Sequence, residues 1–297
     1  MNAGERGFLL LTSQLGNPDR KPLTDAQLRM LTERMRFAQR DTQDRELRSE
    51  DLMALGYGRE MADRIVSLLG DEELLRWYLQ RGEKAGCVPI TRVSSGYPVV
   101  LRKRLGGEST GCLWAKGNPE LLRYRAVSLV GSRDLNAVNA EFAREVGRQA
   151  AKQGYVLVSG NARGADREAQ NACLEAGGAV ISVVADELEN KTPDDRMLFL
   201  SEEGFDASFS PMRALHRNHV IHALGDKVFV AQATLRSGGT WDGTAKNLRF
   251  GWSTVYCFQD GSEAMSVLTQ MGAETVTMEQ LCDFETLPCS VISLFEQ

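Results

Sequence analysis

The chain has 297 residues, 42% hydrophobic and 25% charged, which suits a globular protein of about two domains and excludes a mainly disordered, collagenous or repetitive one. Thirty-five basic against 40 acidic side chains leave a net charge of −5, so no global basic field advertises a polyanion partner. The first 80 residues hold 12 basic and 14 acidic side chains, so the imbalance is spread evenly and any nucleic-acid surface has to be a local patch.

No stretch approaches the ~20 apolar residues of a membrane span. The four-residue run Phe8-Leu9-Leu10-Leu11 is too short for a secretory leader. The six cysteines, Cys87, Cys112, Cys173, Cys257, Cys282 and Cys289, contain no C-x-x-C pair, and Cys173 and Cys257 sit inside apolar patterns as buried free thiols. A reduced, cytoplasmic compartment and no membrane partner are expected.

Residues 1–82 read as a small helical domain. Thr24 and Asp25 precede Leu28, Leu31, Met35 and Phe37, an apolar set at helical spacing behind an N-cap. A charged stretch over residues 40–51 follows. Leu52, Leu55, Ile65, Leu68 and Leu69 then form two short helices around Gly56-Tyr57-Gly58. Such a turn suits either the holding of a nucleic-acid backbone or plain helical packing, and packing is the simpler account.

From about residue 84 the texture changes, and residues 83–297 read as one Rossmann-like ligand-binding domain. Apolar runs at 88–91, 126–130, 155–159, 180–184, 227–231 and 254–258 predict strands. Helical patterns fall at about 138–153, 165–176, 213–224 and 244–251. Continuous apolar strands alternating with helices predict an α/β fold, a mostly parallel sheet covered on both faces. Residues 186–212, polar and holding Pro193 and Pro211, are expected to be an irregular crossover with a short helix near 196–203. A helix, a strand and a short tail are expected from about residue 262.

Four loops follow predicted strands and therefore project from one sheet edge, where open α/β sheets bind ligands. The first is Gly131-Ser132-Arg133-Asp134, where glycine admits a ligand close to the backbone and arginine offers a bidentate phosphate contact. In the second, Ser159-Gly160-Asn161-Ala162-Arg163-Gly164 leads to Asp166 at a helix start. Asp166 either caps its helix or orients Arg163, and two glycines beside an arginine form an anion cradle. The third holds His216, Arg217, Asn218, His219 and His222. Its three histidines, the only ones in the chain, spread over about 120° of a helix with no cysteine or carboxylate pair beside them in sequence. No metal site is expected there, whereas Arg217-Asn218 at a helix start suits phosphate or base recognition. The fourth runs from Ser237, Gly238 and Gly239 to Thr244, with Lys246 one turn inside the next helix.

These residues resemble the DNA-processing protein A (Smf) family. Val130–Arg133 matches its V-G-S-R. Ser159, Gly160, Ala162, Arg163, Gly164 and Asp166 match every fixed position of S-G-x-A-R-G-x-D. Gly177-Gly178, Arg217, Asn218 and Ile221 of R-N-R-x-I, and Ser237-Gly238 also match, and Tyr97-Pro98 with Leu113 through Gly117 resemble the lead-in to the sheet. The likeness covers about residues 84–260. It implies a Rossmann-like domain that binds single-stranded DNA in a positively lined pocket, as a homodimer, and helps to load the strand-exchange recombinase in DNA uptake and recombination. It implies no cofactor and no chemical turnover. The first 80 residues then correspond to a variable helical domain, and the C-terminal winged helix of many members has no room. His219 stands where the family has a second arginine, Gln232 where it has an acid, and Ser237–Thr244 is longer than its turn. On the resemblance, the DNA- or phosphate-binding residues are Gly131, Ser132, Arg133, Ser159, Gly160, Ala162, Arg163, Gly164, Asp166, Arg217, Asn218, Ser237, Gly238 and Lys246. Trp241 offers either a base-stacking platform or a packed core side chain.

The competing reading is a Rossmann nucleotide sensor, or a phosphoribohydrolase of the lysine-decarboxylase-like (LOG) type. Gly238-Gly239-Thr240 partly matches the G-G-x-x-T turn of those enzymes, but no glutamate follows to polarise water.

Overall fold

The computed structural model describes residues 1–37 and 46–288. Residues 40–45 of the charged stretch, the Phe37 side chain and Cys289 lie outside that description. Helices α1 (Ala3–Thr12), α2 (Asp25–Phe37), α3 (Ser49–Ala54), α4 (Arg59–Gly70) and α5 (Glu72–Lys84) come first. Thr24 starts α2 as expected, exchanging with Gln27 the two bonds of a capping box. Buried Arg20 ties the bundle together. It pairs with Asp71 at 2.8 Å and donates to the carbonyls of Leu10, Ser13 and Leu68. The Gly56–Gly58 turn joins α3 to α4, and Arg34 covers it, 4.3 Å above the Tyr57 ring. Packing accounts for that turn.

The remainder is built on a nine-stranded sheet. Its strands are β1 (Val88–Thr91), β2 (Cys112–Gly117), β3 (Ala126–Val130), β4 (Val156–Ser159), β5 (Val180–Val183), β6 (Met197–Ser201), β7 (Lys227–Val230), β8 (Thr254–Phe258) and β9 (Glu274–Val276), in the order β1-β2-β6-β5-β4-β3-β7-β8-β9. The β1–β2 and β2–β6 pairings are antiparallel and the rest parallel. The expected Rossmann-like sheet is therefore present, with an antiparallel edge.

Alternation along each central strand divides the core in two. Val127 and Leu129 of β3 face Phe142, Val146 and Cys173 on α7 (Ala137–Lys152) and α8 (Ala165–Glu175). Ala126 and Val130 face the opposite layer. That layer holds Leu101 of α6 (Val99–Leu105), Val220 and Ile221 of α10 (Asn218–Leu224), Trp241 of α11 (Gly238–Phe250) and Leu268 of α12 (Glu263–Gln270). Tyr78 of α5, Trp114 of β2 and Phe205 pack ring on ring, and the Tyr78 hydroxyl donates to Asp206 at 2.6 Å, joining the helices to the sheet.

Several expectations need correction. Met197–Ser201 is strand β6, not part of a helix over 196–203. Its apolar run is drawn into the sheet between β5 and β2, while the flanking charges of Arg196, Glu202 and Glu203 gave it a helical look. Strand β2 is not among the expected strands, although Leu113 through Gly117 resemble the family's lead-in to the sheet. The helix expected over 213–224 is two, α9 (Pro211–His216) and α10, meeting at Arg217. Helix α11 starts at Gly238, so Ser237–Thr244 is not a long turn but a cap and two helical turns. Cys173 and Cys257 are buried free thiols as expected, and Cys282 is exposed. Among the described residues, no helix is long and apolar enough to cross a membrane.

The α7–α8 crossing gives a direct test of the packing. A Cβ at Gly147 would lie 2.1 Å from the Ala169 carbonyl oxygen, whereas one at Gly7 in α1 meets nothing within 4 Å. Gly147→Ala should destabilise by about 2–3 kcal/mol through overpacking against backbone. Gly7→Ala should stabilise by about 0.5–1 kcal/mol through helix propensity. Urea-unfolding midpoints of the two variants measure both.

Candidate anion and nucleic-acid interface

After β6 the chain returns across the sheet to β7, which lies beside β3. The switch point thus falls between β3 and β7, and the loops leaving them open a crevice there. That crevice is a cleft of about 550 Å³ lined by Gly131, Ser132, Arg133, Asp134, Ala162, Asp166, Arg217 and Asn218, with Ser237–Thr240 at the start of α11. A smaller hollow of about 330 Å³, lined by Gly160–Arg163 and Asp186, shares Arg133, Ala162, Phe209, Ala214 and Arg217 with it. Most of the predicted site residues are therefore gathered at one edge.

Their roles are more sharply divided than the sequence suggested. Gly160 seats Arg217: a Cβ there would stand 1.5 Å from the guanidinium. Gly164, at φ +86°, lets the backbone pass under Ser132 and Arg133, whose carbonyl oxygens would lie 2.5 and 2.4 Å from an added Cβ. Gly131 is excluded from carrying a side chain by Ala165, 2.4 Å away. Ser159 is fully buried and donates its hydroxyl to the Leu129 carbonyl at 2.8 Å, so it closes a strand end and does not face the cleft. Lys246 lies eight residues into α11, about 12 Å along its axis, exposed and away from the cleft. Trp241 is packed in the core and offers no stacking face.

Asp166 performs neither of the two roles considered for it. The N-cap of α8 is Gly164, and Arg163 pairs instead with Asp134 at 2.6 Å on the surface. Asp166 accepts the Ala162 amide at 3.2 Å and faces the Arg217 guanidinium at 3.5 Å. The three arginines thus share one rim, with Arg163 and Arg217 each beside an acid. The exposed Arg163–Asp134 pair holds only weakly against a competing anion.

Two buried arginines, Arg213 within α9 and Arg217 at its end, differ in how far they are satisfied. Arg213 donates to the carbonyls of Ala185, Ala207 and Ser208 at 2.6–2.7 Å and to Ser201 Oγ at 3.0 Å, and pairs with Glu203 at 3.1 Å. It stitches the loop before α9 in place. Arg217 is equally buried, yet its Nε has no partner and the acid it pairs with, Asp166, stands 3.5 Å off. Burial lowers its pKa from the ordinary guanidinium value, Asp166 and, less strongly, Glu202 oppose that shift, and Arg133 adds to it. A buried cation this poorly compensated, at the floor of a cleft, is a place for an anion.

Other features complete the rim. Ser237 caps α11 without a side-chain bond, leaving its hydroxyl and the first amides of the helix toward the cleft. Asn218 is spent on structure, donating to the Gly239 carbonyl at 2.9 Å and tying α10 to α11. Gln232 uses its amide both ways, accepting from the Asn136 amide and donating to the Asp134 carbonyl, each at 3.2 Å. An acid there could not make the second bond. Asn161 and Arg236, in the loops after β4 and β7, hold positive φ at 57° and 52°. Phe209 is the main feature the sequence did not reveal. It lines both hollows and is 53% exposed, held up by the Arg213-bound loop. An aromatic between serines in a polar segment, just before Pro211, was the available signal.

With this geometry in place, comparison with known proteins decides the family. The model of the DNA recombination-mediator protein A family matches residues 89–283. The chain belongs to that family. It is 34% identical over 188 residues to DNA processing protein DprA of Streptococcus pneumoniae, covering 58% of this chain and 66% of the relative. It is 27% identical over 169 residues to DprA of Bacillus subtilis, covering 53% and 56%. The matched segment thus spans between about half and two thirds of the length of these curated relatives. Among solved structures, S. pneumoniae DprA superposes with a TM-score of 0.73 at 24% identity, covering 95% of this chain and 97% of its own. DNA processing protein A from Helicobacter pylori, described for its single-stranded DNA binding mode, gives 0.55 at 22%, covering 66% and 94%. Both share the fold of this chain.

The histidines of this recombination-mediator domain part company. His222 is fully buried, its Nδ1 3.1 Å from Asn247 Nδ2, which also donates to Ser253 Oγ at 3.0 Å. Burial pushes its pKa down from 6.5 to about 3, with the neighbouring His219 ring and Arg217 guanidinium adding to the shift. Below about pH 6.5 the unfolded chain gains a proton here that the folded chain refuses until about pH 3. Stability should therefore fall across that window as pH drops, by up to about 1.4 kcal/mol per pH unit from this group. Urea midpoints over a pH series should show the extra slope in the wild type and its loss in His222→Gln.

Proposed function

We propose that this chain is a recombination mediator that binds single-stranded DNA along the β3–β7 cleft, one phosphate resting against Arg217 and the first amides of α11. The observation that carries this reading is the buried, half-satisfied guanidinium of Arg217 at the floor of the cleft, with exposed Phe209 above it. Phosphate supplies the charge that Asp166 offers only from one side, and a base stacks on the Phe209 ring. Arg133, whose guanidinium has no acid partner among the described residues, and Arg163, which can leave the exposed Asp134, extend the track for neighbouring phosphates. The description of H. pylori DprA by its single-stranded DNA binding, within the same fold, supports a polymeric ligand. Delivery to a strand-exchange recombinase, pairing into a homodimer and a helical module over residues 1–82 belong to the same proposal.

The hydrolase alternative has no support at the cleft. Its lining acids, Asp134 and Asp166, each stand beside an arginine, so neither is a free base for activating water.

Fluorescence anisotropy with oligo-dT at low salt tests the reading. Phe209→Ala should cost about 1–3 kcal/mol of affinity, and Phe209→Trp should restore it. Arg133→Ala should lower the slope of log affinity against log salt by about 0.7, the contribution of one single-strand phosphate contact. Absence of any binding to oligo-dT, with mononucleotides binding in its place, overturns the assignment.

A further inference from the structure

The chain fold brings together three side chains that the cleft does not use. Glu202 directly follows β6, His216 ends α9, and His219 lies in the first turn of α10, and one ligand atom from each lies within 4.8 Å of the others. The sequence placed no carboxylate beside these histidines. The sheet supplies one, because the end of β6 runs beneath the α9–α10 junction.

The local contacts describe a preset site. Glu202 and His219 are largely buried, with 11% and 17% of their side chains exposed, and His216 closes the group from the solvent side. His219 Nε2 stands 3.7 Å from Glu202 Oε1, too far for a hydrogen bond but close to the spacing of two ligands around one ion at about 2.0–2.2 Å. The two imidazoles meet edge to face with ring centres 4.9 Å apart, and the His219 ring also abuts Trp252. Thr110 donates its hydroxyl to Glu202 Oε1 at 2.5 Å, fixing the carboxylate as outer partners fix metal ligands.

We propose that Glu202, His216 and His219 bind a divalent transition-metal ion of the zinc type. Two imidazoles and a carboxylate suit that class rather than magnesium or calcium, which take oxygen ligands. Three protein ligands leave an open position for water on the exposed side of His216. Bound there, the ion staples the end of β6 to the junction that carries Arg217. The inference stands apart from DNA binding, since none of the three residues lines the cleft.

The test is calorimetric titration of zinc into full-length, tag-free protein freed of metal, with cobalt as an optical probe of the ligand set. Saturable binding of about one ion per chain is expected, with a rise in thermal midpoint. His216→Ala, at an exposed position, should leave the metal-free melting temperature unchanged and lower zinc affinity at least tenfold. Thr110→Val should weaken it about 10- to 100-fold. Failure to bind zinc saturably overturns the proposal. So does binding that persists unchanged in both His216→Ala and His219→Gln, which would place the ion elsewhere, as at exposed Cys282.

Discussion

The site depends on the burial of one positive charge. Arg217 sits where two short helices meet, and only the missing side chain of Gly160 gives its guanidinium room. Taking a guanidinium out of water is costly unless its donors are met and its charge is opposed. Arg213, four residues earlier, meets that requirement with backbone carbonyls, Ser201 and Glu203, and is a structural pin. Arg217 meets it only in part. The surrounding loops are shaped around this residue: Asp166 reaches it from α8, and Gly164 and Gly131 draw the loop after β4 against the loop after β3.

The helix behind Arg217 is anchored with equal care. Arg104 of α6 donates to the carbonyls of Ala223 and Gly225 at 2.9 and 2.7 Å, meeting the last turn of α10, and pairs with Asp226 at 3.0 Å. Ser128 of β3 donates to the Ile221 carbonyl at 2.5 Å, a bond that needs the close contact made possible at Gly225. Asn218 fixes the other end against α11. Cleft residues with no free chemistry, such as Asn218 and Gln232, therefore matter by holding the geometry in which Arg217 is poised.

The parallel strands were legible because a strand buried on both faces has to be a continuous apolar run, as in Ala126–Val130 and Thr254–Phe258. The cradle was legible because glycine beside arginine at a strand end has few purely structural explanations. What escaped depends on distant partners. Met197–Ser201 is a strand only because β5 and β2 flank it. Glu202 meets the histidines only through the sheet, and Phe209 is an exposed aromatic whose place at the cleft is set by Arg213. Lys246 was misplaced because glycines at 238 and 239 read as a turn, although an N-terminal helical turn tolerates them. Once α11 is known to start at Gly238, the lysine falls about two turns from the rim.

Charge arithmetic explains why such a site suits this chain. The protein is acidic overall, and Arg133, Arg163 and Arg217 share their rim with Asp134, Asp166 and Asp186, so long-range attraction of a polyanion is weak. Affinity has to come from contacts that salt screens poorly: a buried guanidinium, the amides of a helix start and an aromatic face. Each has a fixed position here, and the loop that leads into the α11 start holds Arg236 at positive φ, as the loop beneath Arg217 holds Asn161, a cost borne by the packing around them. A surface preorganised in this way pays little to order itself on binding, and that offsets the field it lacks.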